Sequence, residues 1–96
     1  MYVVVRTDLS PNYRAVQATH AALAAKDLID DSPHPSLVVL GVPNEEELLA
    51  RSRRLREFGI AHSLFFEDDV ESHTALATRN VRAKAERKEF ADLKCI

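Results

Sequence analysis

The sequence predicts one α/β domain, in which a single-layer mixed sheet of four strands carries helices on both faces in the order β-α-β-α-β-β-α. Short apolar runs rich in β-branched residues alternate with longer stretches whose apolar residues recur at helical spacing. The chain has 96 residues, of which 46% are hydrophobic and 29% charged. This size suffices for one hydrophobic core but not for two, so we expect residues 1–96 to form a single domain.

The first half of the chain contains two apolar runs separated by a helical stretch. Tyr2–Val5 is continuously apolar, which is typical of a strand buried on both faces. A helix is expected from Ser10 to about Ile29, because small residues recur along one of its faces. These residues are Ala15, Ala18, Ala22 and Ala25. A turn with two prolines follows at Asp30–Pro35, and Leu37–Val42 is predicted to be the second strand.

The second half begins with a helix that has clear start and stop signals. Asn44 is placed to cap its N-terminus, Glu47 completes a capping box, and Gly59 ends it. Two antiparallel strands joined by an acidic turn and a basic final helix complete the predicted domain. These elements are the strands Ile60–Phe66 and Ser72–Thr78, the turn Glu67–Glu71 and the helix Arg79–Phe90.

The charge of the chain is small but unevenly distributed. The net charge is −2, with seven Lys/Arg against eleven Asp/Glu in residues 1–70 and six against four in residues 71–96. Any contact with nucleic acid must therefore be local. The only cysteine is Cys95, so an intrachain disulfide and a cysteine-rich zinc site are excluded, and a reducing, cytoplasmic compartment is expected. No apolar run approaches the roughly 18 residues of a membrane span, and we expect no signal peptide and no membrane partner.

Several short motifs occur in an order that matches one known family. The first strand ends in Arg6-Thr-Asp-Leu, and the helix after it carries Ala-x-Gln17-x-x-His-Ala. Pro-Asn-Glu-Glu-Glu-Leu48, Ser-x-Thr74-x-Leu and a closing Leu-Lys94 follow. Together these motifs resemble the type-2 peptidyl-tRNA hydrolases over nearly the whole chain. The resemblance implies their α/β fold and hydrolysis of the ester between a peptide and a tRNA, with no metal and no cofactor.

Two positions depart from the family pattern. The helix lysine of the family, four residues before the glutamine, falls on Tyr13, and Arg14 is turned by about 100° around the helix axis. The Asp-Ala-Gly-x-Thr turn of the family is replaced by Glu67-Asp68-Asp69 in a shorter loop. The family aspartate therefore corresponds to Glu67.

The candidate catalytic residues are Asp8, Gln17, His20, Glu67 and Thr74. Ester hydrolysis needs a positioned water and groups that move protons. Gln17 and Thr74 are assigned to orienting the substrate and the water, and His20, Asp8 and Glu67 to assisting proton movement. Structural alternatives remain open for three of them. His20 would be half-buried and bonded to Asp8 or to a backbone carbonyl, Asp8 would cap the following turn, and Glu67 would end a strand in solvent.

The acidic turn Glu67–Glu71 bears on both metal and RNA binding. Its oxygen ligands suit a divalent cation, but no EF-hand spacing is present and no metal is expected. Its carboxylates repel phosphates unless basic groups offset them. The candidate nucleic-acid-binding residues are Arg14, Arg79, Arg82 and Lys84. For the last three, a solvated helix face is the alternative.

Two functions of different classes remain open at this point. One is a small esterase that acts on peptidyl-tRNA or on a related RNA-linked ester. The other is a relative that has lost this chemistry and binds tRNA or a protein, which the replacement of the family lysine by Tyr13 favours. A homodimer is a further expectation from the family.

Overall fold

The computed structural model describes residues 1–29 and 36–96, so the turn predicted at Asp30–Pro35 lies outside the described residues. The α/β architecture predicted from the sequence is confirmed. The elements are β1 Tyr2–Arg6, α1 Pro11–Ala24, β2 Val38–Val42, α2 Glu45–Phe58, β3 His62–Glu67, β4 Ser72–Thr78, α3 Lys84–Arg87 and β5 Lys94–Cys95. Short 3₁₀ turns lie at Lys26–Leu28, Asp68–Val70 and Lys88–Phe90. Within residues 1–29 and 36–96, no helix is long and apolar enough to cross a membrane.

The strands form one mixed sheet in the order β3-β4-β1-β2-β5. β1 pairs in parallel with β2 and antiparallel with β4, and β3 and β4 are antiparallel as predicted. β1, β2 and β3 therefore point the same way. We call the edge where they end, at Arg6, Val42 and Glu67, the carboxyl edge, and the opposite edge, where they begin and β4 ends, the amino edge.

The two faces of the sheet bury different side chains against different helices. Val3 and Val5 of β1 pack with the alanines Ala21 and Ala25 at the end of α1. Val4, between them, belongs to a second core cluster built around α2. This cluster consists of Val4, Leu40, Val42, Leu48, Leu55, Ile60, Leu76 and Phe90. The helices thus cover both faces, as predicted, and the small residues of α1 let it lie close to the sheet.

Both ends of α2 follow the signals read from the sequence. Asn44 Oδ1 accepts a hydrogen bond from the Glu47 N–H at 2.9 Å, which satisfies one of the free donors of the first turn. Gly59 ends the helix in the left-handed conformation with φ 87°. The predicted boundaries of this helix are therefore confirmed.

The sheet has five strands, one more than predicted. Cys95 pairs with Leu40 and Lys94 with Gly41, so β5 covers the edge of β2. A side chain at Gly41 would place its Cβ 2.5 Å from Thr7 and 2.8 Å from Ile96, so the glycine permits this close approach. Two exposed residues carry no alternation pattern, which is why the sequence did not predict this strand.

The prediction of a long final helix over Arg79–Phe90 was wrong. Only Lys84–Arg87 is α-helical, and a 3₁₀ turn follows it. The Arg79 N–H donates to the Ala61 carbonyl at 3.0 Å. Arg79 directly follows β4 and Ala61 directly precedes β3, so this bond extends the pairing of the two strands by one residue. Ala83 is extended, with ψ 138°, so the helix begins only after it.

The first helix is also shorter than predicted, because it ends at Ala24 rather than near Ile29. The Ala25 N–H is shared between the carbonyls of Ala21 and Ala22, at 3.0 and 3.2 Å. Such sharing marks the tightening of a helix end into a 3₁₀ turn, which follows at Lys26–Leu28.

Candidate active site

A chain of two hydrogen bonds links α1, β3 and β4 near the carboxyl edge. Thr74 Oγ1 donates to Gln17 Oε1 at 2.6 Å, and Gln17 Nε2 donates to Glu67 Oε1 at 2.9 Å. Gln17 and Thr74 are fully buried, whereas Glu67 at the end of β3 is only partly buried. A carboxylate only accepts hydrogen bonds, so Glu67 dictates which end of the Gln17 amide faces it. The Thr74 hydroxyl is then left to donate to the amide oxygen.

A β-bulge places Thr74 in this chain. Phe65 pairs with Ala75 and Phe66 with His73, so the register skips Thr74. Ala75 packs against α1, and regular alternation would turn Thr74 to the α2 side, where Leu76 lies. The bulge instead aims the Thr74 side chain at Gln17 on the α1 side.

Asp8 is held in an ion pair with Arg6 just beyond the end of β1. Arg6 Nε and Nη2 donate to the two carboxylate oxygens of Asp8 at 2.9 and 2.8 Å. Hydrogen bonding by Arg6 lowers the pKa of Asp8 from its ordinary value, although partial burial opposes the shift. Arg6 Nη1 also donates to Ser72 Oγ and to the His73 carbonyl, at 2.9 and 3.2 Å. The pair therefore ties the end of β1 to the start of β4.

Arg14 points back at the turn between β1 and α1. Its guanidinium donates to the carbonyl oxygens of Leu9 and Thr7, at 2.7 and 2.6 Å. These two bonds satisfy turn carbonyls that no strand partner reaches. The contacts that the structure gives Arg14 are thus contacts within the chain, and they stabilise the loop that leads into the helix of the candidate site.

His20 lies on the surface of α1 and stacks on an aromatic side chain. Its ring and that of Phe65 are nearly parallel, with centroids 5.0 Å apart. His20 is exposed, and it lies three residues beyond Gln17 on the same side of the helix. The structure therefore places it at the rim of the hydrogen-bond chain, with its imidazole open to solvent.

Tyr13 lies one helical turn before Gln17, also on the side of α1 that faces the acidic turn. Its hydroxyl oxygen is enclosed and has no hydrogen-bond partner among the residues that the structure describes. Desolvation raises the pKa of Tyr13, and the negative charges of Glu67 and Asp69, together with the nearby Glu67 carboxylate as a hydrogen-bond acceptor, raise it further. The position that the resemblance assigns to a lysine is thus occupied by a neutral donor beside two carboxylates.

The acidic turn forms a 3₁₀ turn over Asp68–Val70 and ends at Glu71 in a left-handed conformation, with φ 49°. Within residues 1–29 and 36–96, no three His, Cys, Asp or Glu side chains are grouped so as to hold a metal ion. Glu67 is turned to Gln17, whereas Asp68, Asp69 and Glu71 are exposed. The turn therefore adds negative charge beside the hydrogen-bond chain.

The candidate RNA-binding residues that follow β4 lie away from this chain, beyond the amino edge. Arg79 is paired with Glu86 at 2.7 Å and also reaches the Gly59 carbonyl at 3.5 Å. Arg82 and Lys84 come next in the sequence and are exposed. Thr74 and Thr78 are four residue steps apart along β4, or about 14 Å at about 3.4 Å per step. The structure thus does not bring these basic residues together with Gln17 and Glu67.

Arg6 is a site residue to which the sequence analysis assigned no role. The signal that could have revealed it is the Arg-x-Asp spacing at the end of a strand, which sets a cation two residues before a carboxylate in the following turn. The spacing sets Arg6 and Asp8 side by side, and the neighbouring β4 supplies the remaining acceptors.

The fold and the position of this cluster define a small α/β protein with its candidate site at the carboxyl edge of a mixed sheet. The family model of Peptidyl-tRNA hydrolase PTH2 matches residues 1–96, the whole chain, and the chain belongs to this family. The family resemblance predicted from the motifs is therefore confirmed, and it supports a peptidyl-tRNA hydrolase-like function in general. No curated protein matches the chain closely enough to indicate a particular relative.

Proposed function

We propose that this protein hydrolyses the ester bond between a peptide and a tRNA, and that the Thr74–Gln17–Glu67 chain is its catalytic centre. Family membership supports the substrate class. The two hydrogen bonds support the site, because they fix a partly exposed carboxylate through two fully buried side chains. A carboxylate with a fixed orientation is suited to holding a water molecule against an ester.

In this proposal Glu67 is the catalytic residue. One of its oxygens is occupied by Gln17, and its remaining acceptor positions take a hydrogen bond from the attacking water. The water oxygen bonds to the ester carbonyl carbon while its proton passes to Glu67. The tetrahedral intermediate then collapses, the bond from that carbon to the ribose oxygen breaks, and the proton passes from Glu67 to the leaving oxygen. The products are a peptide carboxylic acid and a free tRNA hydroxyl.

The other candidate residues act around this carboxylate. Gln17 and Thr74 are positioning residues, because both are buried and each contacts the next member of the chain. His20 is exposed at the rim, where it contacts the substrate and assists proton movement between Glu67 and the leaving oxygen. Asp8 acts through Arg6. Arg6 donates to Ser72, at the start of β4 and two residues before Thr74, and so joins the end of β1 to β4.

The first test is release of peptide from peptidyl-tRNA by purified protein with single substitutions in the chain. Glu67→Gln keeps the size of the side chain and removes its basicity, so kcat should fall by about 10²–10⁴-fold, the usual range for a general acid–base group. Thr74→Val removes only the hydroxyl. The loss of one neutral hydrogen bond is worth about 1 kcal/mol, so kcat should fall about fivefold.

Asp68→Asn is the matched control, because it removes one negative charge from the adjacent residue, which is exposed and outside the hydrogen-bond chain. Its kcat should stay within about twofold of wild type, as expected for a solvent-screened charge. A Glu67→Gln protein that retains wild-type kcat would contradict the site. A folded wild-type protein that binds tRNA in low salt but releases no peptide would favour the alternative, a binding module that has lost the chemistry.

A further inference from the structure

The Tyr13 hydroxyl is the one buried side-chain polar atom without a hydrogen-bond partner in the described part of the chain. Buried polar groups in native proteins are nearly always paired, so such an atom calls for an explanation. Tyr13 precedes Gln17 by four residues, which sets the two side chains on one face of α1. Gln17 in turn contacts Glu67, and the Glu67 carboxylate is close enough to act on the Tyr13 hydroxyl both through its charge and as a hydrogen-bond acceptor.

We propose that Tyr13 is a positioning residue for Glu67, and that in solution, with or without substrate, its hydroxyl turns to donate a second hydrogen bond to the carboxylate that holds the attacking water. This inference rests on the proposed function. Gln17 holds Glu67 through one carboxylate oxygen, Oε1. A second donor from Tyr13 would restrict the last torsion angle of the Glu67 side chain further.

The surroundings of Tyr13 suit a donor and not a proton-transfer group. Desolvation and the charges of Glu67 and Asp69 raise its pKa, so the hydroxyl stays protonated at neutral pH. A protonated phenol next to a carboxylate has one favourable arrangement, in which the O–H points at a carboxylate oxygen. The raised pKa therefore agrees with the geometry.

The replacement of the family lysine by Tyr13 also changes the charge of the site. A lysine would supply a donor together with a positive charge, whereas tyrosine supplies the donor alone. The charges of Glu67, Asp68 and Asp69 are thus not offset from this position. Tyr13 preserves the hydrogen-bonding part of the lysine side chain and gives up its attraction for phosphate.

The test that is independent of turnover is a double-mutant cycle on unfolding by urea. Tyr13→Phe, Glu67→Ala and the double variant are compared with wild type. If the hydroxyl donates to Glu67, Tyr13→Phe lowers the midpoint in the wild-type background and has a smaller effect when Glu67 is absent. If the hydroxyl is simply unpaired, its removal raises the midpoint by the same amount in both backgrounds, which would overturn the proposal.

The second readout separates positioning from substrate binding. Tyr13→Phe should lower kcat about tenfold, as expected when a hydrogen bond to a charged group is lost, and leave KM unchanged. Tyr2→Phe is the control, because Tyr2 is the only other tyrosine of the sequence. It stacks on Phe90 in the core cluster around α2. Wild-type kcat in Tyr13→Phe would overturn the role. If wild type releases no peptide, the proposed function fails, while the unfolding cycle still decides whether Tyr13 and Glu67 are coupled.

Discussion

The carboxyl and amino edges of the sheet carry opposite charge, and they differ in how their polar groups are held. At the carboxyl edge, Glu67 is fixed by buried partners and the exposed acids of the next turn lie beside it. At the amino edge, Arg79 is paired with Glu86. Arg82, in the segment after β4, and Lys84, at the start of α3, are exposed. At the carboxyl edge, the side chains around Glu67 are held in fixed positions, as catalysis requires. At the amino edge, basic side chains are exposed, as phosphate contacts require.

Helix α2 accounts for part of this separation. Its first turn carries Glu45, Glu46 and Glu47 at the carboxyl edge, and its last turn carries Arg56 at the amino edge. Acids near the N-terminus and bases near the C-terminus are what the helix dipole favours. Part of the charge at each edge is therefore explained by helix stability, and the remainder must be tested for a role in binding.

The largest effect should come from neutralising the amino edge. If tRNA phosphates bind there, the Arg82→Gln, Lys84→Gln double variant should show a shallower fall of log affinity with log salt. The magnitude of the slope should decrease by about 1.5, since each phosphate contact contributes about 0.7–0.9. Filter binding or fluorescence anisotropy with uncharged tRNA, at several salt concentrations, measures this slope without requiring turnover.

The same experiment on the carboxyl edge supplies the comparison. Asp68→Asn with Asp69→Asn removes two exposed negative charges, so tRNA affinity should rise at low salt and the gain should vanish at high salt. An unchanged slope in the Arg82, Lys84 double variant would place the phosphate contacts elsewhere. The opposite charges of the two edges would then contribute to the stability of the fold and not to tRNA binding.

The two edges also differ in how far the sequence predicts them. The caps of α2 and the shared face of Gln17 and His20 follow from local spacing, so they could be predicted. The contact between Thr74 and Gln17 depends on a bulge, which no local pattern reveals. The extended start of Arg79–Phe90 depends on pairing with Ala61, which is distant in sequence. The family resemblance proposed the candidate residues of the site, but not which of them are buried or bonded to each other.

A smaller effect is expected from the two caps of α2, which lie at opposite edges. Asn44→Ala removes the acceptor for the Glu47 N–H and should lower the free energy of unfolding by about 1 kcal/mol. Gly59→Ala places a side chain at φ 87° and should cost about 1 kcal/mol, although no atom lies within 4 Å of the added Cβ. Thermal unfolding of both variants measures these costs.

The caps separate structural from functional roles of the edges. Asn44→Ala acts close to the site, because Glu45 in the same turn accepts a hydrogen bond from the His73 N–H at 2.7 Å. Gly59→Ala acts at the amino edge, where Arg79 reaches the Gly59 carbonyl. If both variants lose the same free energy of unfolding but kcat falls only in Asn44→Ala, the side chains that catalysis requires lie at the carboxyl edge. Equal losses of kcat would contradict this separation.

The smallest effect is expected from the Arg6–Asp8 ion pair at the carboxyl edge. The pKa of Asp8 is lowered chiefly by its hydrogen bond with Arg6, so the pair stabilises the fold above the unfolded pKa of about 3.9. This contribution is lost as pH falls through the lower folded pKa. Because 39% of the Asp8 side chain is exposed, solvent screening limits it to less than about 1 kcal/mol.

Urea unfolding of wild type and Asp8→Asn should therefore differ by a constant amount between pH 6 and 8, and the difference should shrink below about pH 4. Asp92 and Glu86 also have lowered pKa values, but both proteins retain them, so the comparison isolates Asp8. A difference that persists undiminished at acidic pH would mean that Asp8 acts through its uncharged contacts. If kcat falls in Asp8→Asn while stability at pH 7 is nearly unchanged, Asp8 contributes to the order of the site beyond its contribution to the fold.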